Sequence, residues 1–290
     1  MESRPSSSTR RAQTAASRTS PRAASPMPTR RPSSGTRSPY STAASVAIGI
    51  RPEAAIIVSV GQQAPAERIR QMFDQVAAGY DARNRFFSAD RDRAWRHRAA
   101  QRAGLRPGQT ALDLCTGTGK LAHELLAFTG PSGRVIGVDF SPAMLEIARR
   151  REPGIEFRLG DVMKLSESDA SVDAITIGFG LRNLVDREAA LREMFRVLRP
   201  GGRLVILEFA PPQRGLLMRA YRFYLSRVMP AVAGLRDRGE ASAYRYLAET
   251  VQAFPQPHAL ARQLEGIGFS VSVERMTLGI VALHVAQRRG

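Results

Sequence analysis

The sequence predicts an α/β fold built on a mostly parallel sheet of seven strands, and three observations predict it. Short apolar segments alternate with helical ones from residue 110 to residue 209, as in strand–helix–strand units whose parallel strands are covered on both faces. The first apolar segment runs into a glycine-rich turn, Cys115-Thr116-Gly117-Thr118-Gly119, that opens a helix. The last two, 270–276 and 280–287, lie too close together for a crossover and are expected to pair as an antiparallel hairpin.

Each element has its own signal. Glu67 to Tyr80 carries Ile69, Met72, Phe73, Val76 and Ala77 at helical spacing, and Trp95 to Ala103 is a second helical stretch. Together they predict a helical lid ahead of the sheet. Thr110–Cys115 is a short apolar strand and Lys120–Phe128 a helix. Arg134–Asp139 is the next strand, and the helix over Pro142–Arg151 starts with proline at a favoured first-turn position. Ile155–Leu159 and Asp173–Phe179 are strands. The helix Arg187–Leu198 stops at Pro200-Gly201-Gly202, and Arg203–Phe209 is the fifth strand. Residues 213–266 read as mainly helical.

Composition and charge divide the chain. At 290 residues with 43% hydrophobic content it can bury a sizeable core. Residues 1–64 are rich in arginine, serine and proline and poor in large apolar side chains. Such a segment cannot bury enough surface to offset its conformational entropy, so a disordered extension is expected there and one folded domain over 65–290. The acid-poor stretch also resembles an organellar transit peptide, which keeps targeting open beside a cytoplasmic location. The net charge of +17 alone would suggest a nucleic-acid-binding module. Up to residue 65, however, nine arginines against Glu2 and Glu53 carry +7 of it, and no aromatic-interleaved basic motif accompanies the rest. No nucleic-acid partner is therefore expected. Cys115 is the only cysteine, so neither an intrachain disulfide nor a thiolate metal site is expected, and no metal is assigned. The best candidate apolar run, Ile56-Ile57-Val58-Ser59-Val60, is far short of the ~20 residues that span a bilayer, so membrane contact would be peripheral.

The turn after the first strand is the candidate ligand site. Gly117 and Gly119 let the backbone approach a ligand closely. Asp139, ending the second strand, stands where a carboxylate accepts from both hydroxyls of a ribose, as in Rossmann-like sheets. Gly117-Thr118-Gly119-Lys120-Leu121-Ala122 also satisfies the dinucleotide fingerprint, so a nicotinamide enzyme is the rival reading. Three features favour S-adenosylmethionine: Asp113 ahead of the loop suits its amino group, helices precede the first strand, and the chain ends in the hairpin.

Five collinear segments then carry a more specific likeness. They are Tyr80-Asp81-Ala82-Arg83-Asn84-Arg85-Phe86-Phe87-Ser88 continuing to Trp95; Phe179-Gly180-Leu181-Arg182-Asn183; Arg196 to Leu204 with Leu207-Glu208-Phe209; Tyr244 to Glu249; and Thr277 to His284. Over residues 66–286 the chain resembles the quinone-biosynthesis C-methyltransferases, the demethylmenaquinone and polyprenyl-benzoquinol methylases. The resemblance implies S-adenosylmethionine contacts at Thr118, Asp139, Asp161 and Val162. It implies Arg182, Asn183 and Tyr80 as the residues that orient and polarise a quinol oxygen. The chain departs from the family pattern at Gly178, where a serine is usual, and at Arg83, Phe87 and Asp92, where methionine, an aliphatic residue and histidine are usual. No acid–base role is carried onto Asp92.

The expected reaction is C-methylation of a polyprenylated quinol, demethylmenaquinol in first place because the loop reads Cys-Thr-Gly-Thr-Gly. A benzoquinol of ubiquinone biosynthesis and another small-molecule acceptor are the alternatives. A surface salt bridge to Asp186 or Glu188 is the alternative reading of Arg182, and simple core packing that of Tyr80. His97 and His123 are expected on helix surfaces, His284 in the core, and Arg149-Arg150-Arg151 as a solvated helix end. Residues 213–235 mix Leu216, Tyr221, Phe223 and Tyr224 with Arg214, Arg219, Arg222 and Arg227, which suits either an anionic membrane surface or a core-packing helix. Oligomeric state is not legible.

Overall fold

The computed structural model describes residues 66–88, 90–210 and 238–290, together with Gly215, Arg219, Ala220, Phe223, Tyr224 and Arg227. The expected disorder of residues 1–64 and most of the 213–235 stretch lie outside the described residues.

Two helices and a third precede the sheet. The first, α1 (Ala66–Val76), presents Ile69 inward and ends sooner than its apolar spacing suggests. The chain breaks over Ala77–Gly79, where Gly79 takes φ 141° and its N–H donates to Ala77 O at 2.9 Å. Tyr80 therefore opens a separate helix, α2 (Tyr80–Ser88), which periodicity did not reveal. Asp90, at φ 60°, leads into α3 (Arg91–Arg102).

The sheet and its helices follow in the expected order. They are β1 (Thr110–Leu114), α4 (Lys120–Thr129), β2 (Arg134–Asp139), α5 (Pro142–Arg151), β3 (Glu156–Leu159), β4 (Val172–Gly178), α6 (Arg187–Val197) and β5 (Leu198–Phe209). The C-terminal part adds α7 (Arg238–Ala253), α8 (Pro257–Ile267), β6 (Phe269–Met276) and β7 (Val281–Arg288). The seven strands form one sheet in the order β3-β2-β1-β4-β5-β7-β6. The first five are parallel, while β7 runs antiparallel to both β5 and β6, as the short 3₁₀ connection Thr277–Gly279 requires.

Local chemistry explains the boundaries. Ser141 caps α5, its Oγ accepting from Met144 N at 3.2 Å, with Pro142 next where no N–H is needed. Asp186 caps α6 in the same way through Ala189 N. One boundary departs from expectation. β5 begins at Leu198 and carries Pro200-Gly201-Gly202 as an irregularity, its register on β4 shifting between Val172↔Leu198 and Ala174↔Arg203. Gly201 at φ 79° supplies the bend.

Both faces of the sheet are covered. Leu191, Met194, Leu260 and Leu264 of α6 and α8 close one face over Leu112, Leu114, Ile175 and Ile177. Ala99, Ala100, Leu121, Leu125 and Leu145 of α3, α4 and α5 close the other over Ala111, Ala174 and Val205. Complete burial of a leucine or isoleucine contributes about 1.5–3 kcal/mol, so these two layers fix the strand order. Because β1 lies between β2 and β4, the chain reverses its winding at the carboxyl ends of β1 and β4, and a crevice opens there. Among the described residues no helix is long and apolar enough to cross a membrane.

Candidate active site

Two adjoining cavities, about 390 and 480 Å³, occupy that crevice and share Phe73, Tyr80, Cys115, Gly117, Gly178 and Phe179. Their volumes suit a small-molecule ligand.

The larger cavity is lined by Gly117, Asp139, Asp161 and Val162, all singled out in the sequence as ligand contacts. Asp139, at the end of β2, is almost wholly buried and accepts from Gly117 N at 2.8 Å and Ser141 N at 3.0 Å. Burial raises its pKa to about 6, against the pull of these backbone donors. Asp161 and Val162 line the same cavity, Asp161 exposed and accepting from Met163 N at 2.9 Å, Val162 buried. Gly117 takes φ 55° with open space where a Cβ would stand, the close-approach surface its position called for. Gly119 differs. It lines neither cavity; its φ is 80°, and a Cβ there would meet Phe157 at 3.0 Å. Packing against Phe157 and the left-handed φ both require glycine there.

The smaller cavity holds Asp113, Thr118, Tyr80 and Arg182. Both Asp113 oxygens accept threonine hydroxyls, Thr176 at 2.6 Å and Thr116 at 2.7 Å, and burial raises its pKa to about 6. Its first task is thus to tie the turn to β4. Thr118 donates its hydroxyl to Asp81 of α2 at 2.8 Å, and Arg151 donates to both the Thr118 carbonyl (2.7 Å) and Asp81. The three arginines of the run are exposed, as a solvated helix end would be, and Arg151 in addition clasps the glycine turn to the lid. Tyr80 stacks edge-on against Phe73, 6.2 Å between centroids.

The resemblance implies both Arg182 and Asn183 at the quinol oxygen. The 3₁₀ turn Leu181–Asn183 instead sends Arg182 into the smaller cavity and Asn183 into the larger, where its buried Oδ1 has no partner among the described residues. Arg182 does not pair with Asp186 or Glu188. Its Nη1 donates to Glu208 Oε1 at 2.9 Å and to the Phe179 carbonyl, while its buried Nε has no partner among the described residues. Glu208 is 1% exposed. The sequence signal for it was a lone acid inside the apolar strand Leu204–Phe209, since a buried carboxylate must be paired.

An aromatic wall completes the smaller cavity and was not anticipated from the residues. Trp95, Phe179 and Phe209 stand in sequence, 6.1 and 4.7 Å between centroids, and Trp95 Nε1 donates to Thr277 Oγ1 at 2.9 Å. Cys115 (φ 51°) and Phe179 (φ 57°) hold left-handed backbones that side chains resist, and such strain clusters at functional sites. Gly180 is required beside them, because a Cβ there would lie 2.4 Å from the Cys115 Cβ. Burial pushes the Cys115 thiol well above its ordinary value, so it stays protonated.

The remaining expectations fall as follows. His284 is buried, with Nε2 facing the Pro257 carbonyl at 3.0 Å, and burial lowers its pKa so that it stays neutral. His97 and His123 sit on exposed helix faces beside Glu124 and Glu152. Asp92 is buried and ion-paired with Arg96 at 2.5 Å, and its pKa is lowered: burial alone would raise it, and Arg96, Lys120 and Ser88 outweigh that.

Residues 61–288 match the ubiE/COQ5 methyltransferase family. A demethylmenaquinone methyltransferase of Thermus thermophilus is 47% identical over 221 residues, covering 75% of this chain and 100% of that protein. The ubiquinone/menaquinone biosynthesis C-methyltransferase UbiE of Geotalea daltonii is 38% identical, covering 77% and 97%. Among solved structures, a SAM-dependent methyltransferase of Thermotoga maritima superposes with a TM-score of 0.54 at 19% identity, covering 76% of this chain and 100% of its own. That likeness shows the fold.

Proposed function

The chain belongs to the ubiE/COQ5 methyltransferase family, and from that premise we propose that residues 65–290 transfer a methyl group from S-adenosylmethionine to a ring carbon of a polyprenylated quinol, demethylmenaquinol first. The observation that carries this reading is the pairing of two cavities across the β1 and β4 ends. One is built around a buried ribose-type acceptor, Asp139, and the other around an aromatic wall with a fixed guanidinium, Arg182. The names of the relatives from Thermus thermophilus and two further organisms favour the naphthoquinol over the benzoquinol.

The residues present fit the donor nucleoside. Asp139 accepts ribose hydroxyls, Asp161 and the Val162 N–H take the adenine edge, Gly117 and Thr118 pass beside the chain joining them, and the unpartnered Asn183 Oδ1 faces the same space. When bound, the sulfonium supplies an electrophilic methyl group. The quinol hydroxyl, whose ordinary pKa is about 10, loses its proton. The adjacent ring carbon then forms the new C–C bond while the S–C pair stays on sulfur, and the ring C–H proton leaves to restore aromaticity. A guanidinium is a poor proton acceptor, so Arg182 serves to stabilise the oxyanion, and the proton leaves through water. Its unpartnered Nε and the Tyr80 hydroxyl are the groups offered to that oxygen.

Deleting the gene should leave a host's quinone pool one methyl group light, read by mass spectrometry of lipid extracts. An unchanged pool would defeat this reading. A second acceptor class, an unrelated small molecule, has no specific observation in its favour.

Access to a lipid-borne acceptor is served by two exposed side chains at the rim of the smaller cavity. Phe223 is 63% exposed beside cavity-lining Tyr224, and Leu278 is 78% exposed between Thr277 and Ile280. Arg219 and Arg227 are exposed alongside Phe223. We expect the full chain to float with anionic vesicles and to lose that binding with Phe223→Ser and Leu278→Ser; flotation unaffected by the pair would exclude this contact.

A further inference from the structure

The aromatic wall repeats one device twice. Arg182 stacks over Phe209 at 5.7 Å, and Arg96 stacks over Phe179 at the same 5.7 Å. The two rings are neighbours, 4.7 Å between centroids. Each guanidinium is held from behind through its Nη1 by a buried carboxylate and a main-chain carbonyl. Glu208 and the Phe179 carbonyl hold Arg182; Asp92 (2.5 and 3.2 Å from its carboxylate and carbonyl) holds Arg96. Both arginines line the smaller cavity and both side chains are at most 11% exposed.

We propose that the Phe179–Phe209 pair is the shelf on which the quinol ring lies, with Arg96 as a second oxygen-binding residue across the ring from Arg182. The inference rests on the quinol reading above. A quinol carries its two oxygens on opposite edges of a flat ring, and the site answers with two aromatic rings tilted 40° to one another, each with its own planar donor beside it. Each arginine is already neutralised by its own carboxylate. The shelf therefore suits a neutral quinol or its monoanion, and a phosphorylated or polyanionic ligand would gain little. Arg182 stabilises the oxygen that ionises; Arg96 fixes the far oxygen and so selects which ring carbon is presented.

The test uses the full chain with Arg96→Gln and a short-chain demethylnaphthoquinol. The KM for the quinol should rise about 10- to 100-fold, the loss of one charge-assisted hydrogen bond. Calorimetric affinity for S-adenosylhomocysteine should stay within about twofold, because Arg96 does not touch the nucleoside in this account. The two monohydroxy isomers of the ring serve as inhibitors: the substitution should weaken only the one that keeps the oxygen facing Arg96. Arg96→Lys, which preserves the ion pair with Asp92, should give a smaller KM shift and guards against a folding defect. An unchanged quinol KM, or equal weakening of both isomers, overturns the shelf. So does a fall in nucleoside affinity that matches the KM change, which would place Arg96 on the amino-acid end of the donor. A wild-type protein that methylates no quinol at all would instead defeat the parent reading.

Discussion

Arg182→Met is expected to reduce kcat/KM by about 10²- to 10³-fold, the usual effect of removing a preorganised oxyanion donor, and to destabilise the fold by about 3–5 kcal/mol. The second effect follows from Glu208. Its carboxylate is 1% exposed and its charged partner is Arg182 at 2.9 Å, so the single substitution strands a charge in the interior. Adding Glu208→Gln should therefore recover most of the lost stability, since the amide oxygen still accepts from Phe209 N, now at 2.9 Å from Glu208 Oε1. It should recover none of the activity. Denaturant unfolding and steady-state kinetics on the single and double variants separate the two roles. Equal activity loss without destabilisation would mean that the ion pair is not as buried as the structure has it. Near-normal turnover would remove Arg182 from the mechanism.

The second large effect lies at Asp139. Asp139→Asn is expected to weaken S-adenosylhomocysteine binding by about 100-fold, the loss of two hydrogen bonds to a charged acceptor reduced by what the amide retains. The pH dependence carries a sign. Burial holds the ligand-free carboxyl near a pKa of about 6, above its ordinary value. As an acid with a raised folded pKa, it costs the empty protein stability as pH rises through that value. Ribose hydroxyls donate to the ionised form, so binding draws the proton off. Affinity should be flat above neutrality and fall by up to about tenfold per pH unit below pH 6. Asp113 has the same raised value, but its oxygens are engaged by Thr116 and Thr176. The Asn variant should therefore lose most of the slope. A slope that persisted would assign it to Asp113 instead.

How much of this was visible in the residues depends on how local each cause is. Helix α5 was legible at both ends, because Ser141-Pro142 is a start signal written in adjacent residues. The strands β1, β2 and β4 were legible from apolar runs that must be buried on both faces. The break after Val76 was not, since Ala77 and Ala78 favour a helix and a single glycine, Gly79, is tolerated inside one at a cost of about 1 kcal/mol, so that only the fold decides. The early start of β5 was hidden by Pro200-Gly201-Gly202, which reads as a stop and is absorbed as a register shift.

The site divides along the same line. Asp139 and Gly117 lie at a strand end and a turn that order along the chain predicts, Asp161 and Val162 were reached through the family resemblance alone, and the four line one cavity. Arg182 was picked out, but the ion-pair partners considered for it were Asp186 and Glu188, four and six residues on, whereas Glu208 reaches it from the neighbouring strand. Asn183 follows Arg182 in sequence yet opens into the other cavity, because a 3₁₀ turn rotates successive side chains apart. Arg96 and Phe179 come together only through tertiary packing of α3 over the end of β4, and no spacing rule links them.

The central claim is transfer of a methyl group to carbon, and the most direct test gives the purified full chain a reduced demethylmenaquinone and S-adenosylmethionine carrying a trideuterated methyl group. The account predicts a quinone heavier by one labelled methyl group, retained on the ring after oxidation and resistant to ether cleavage. No labelled product, or a label borne on oxygen, would contradict it.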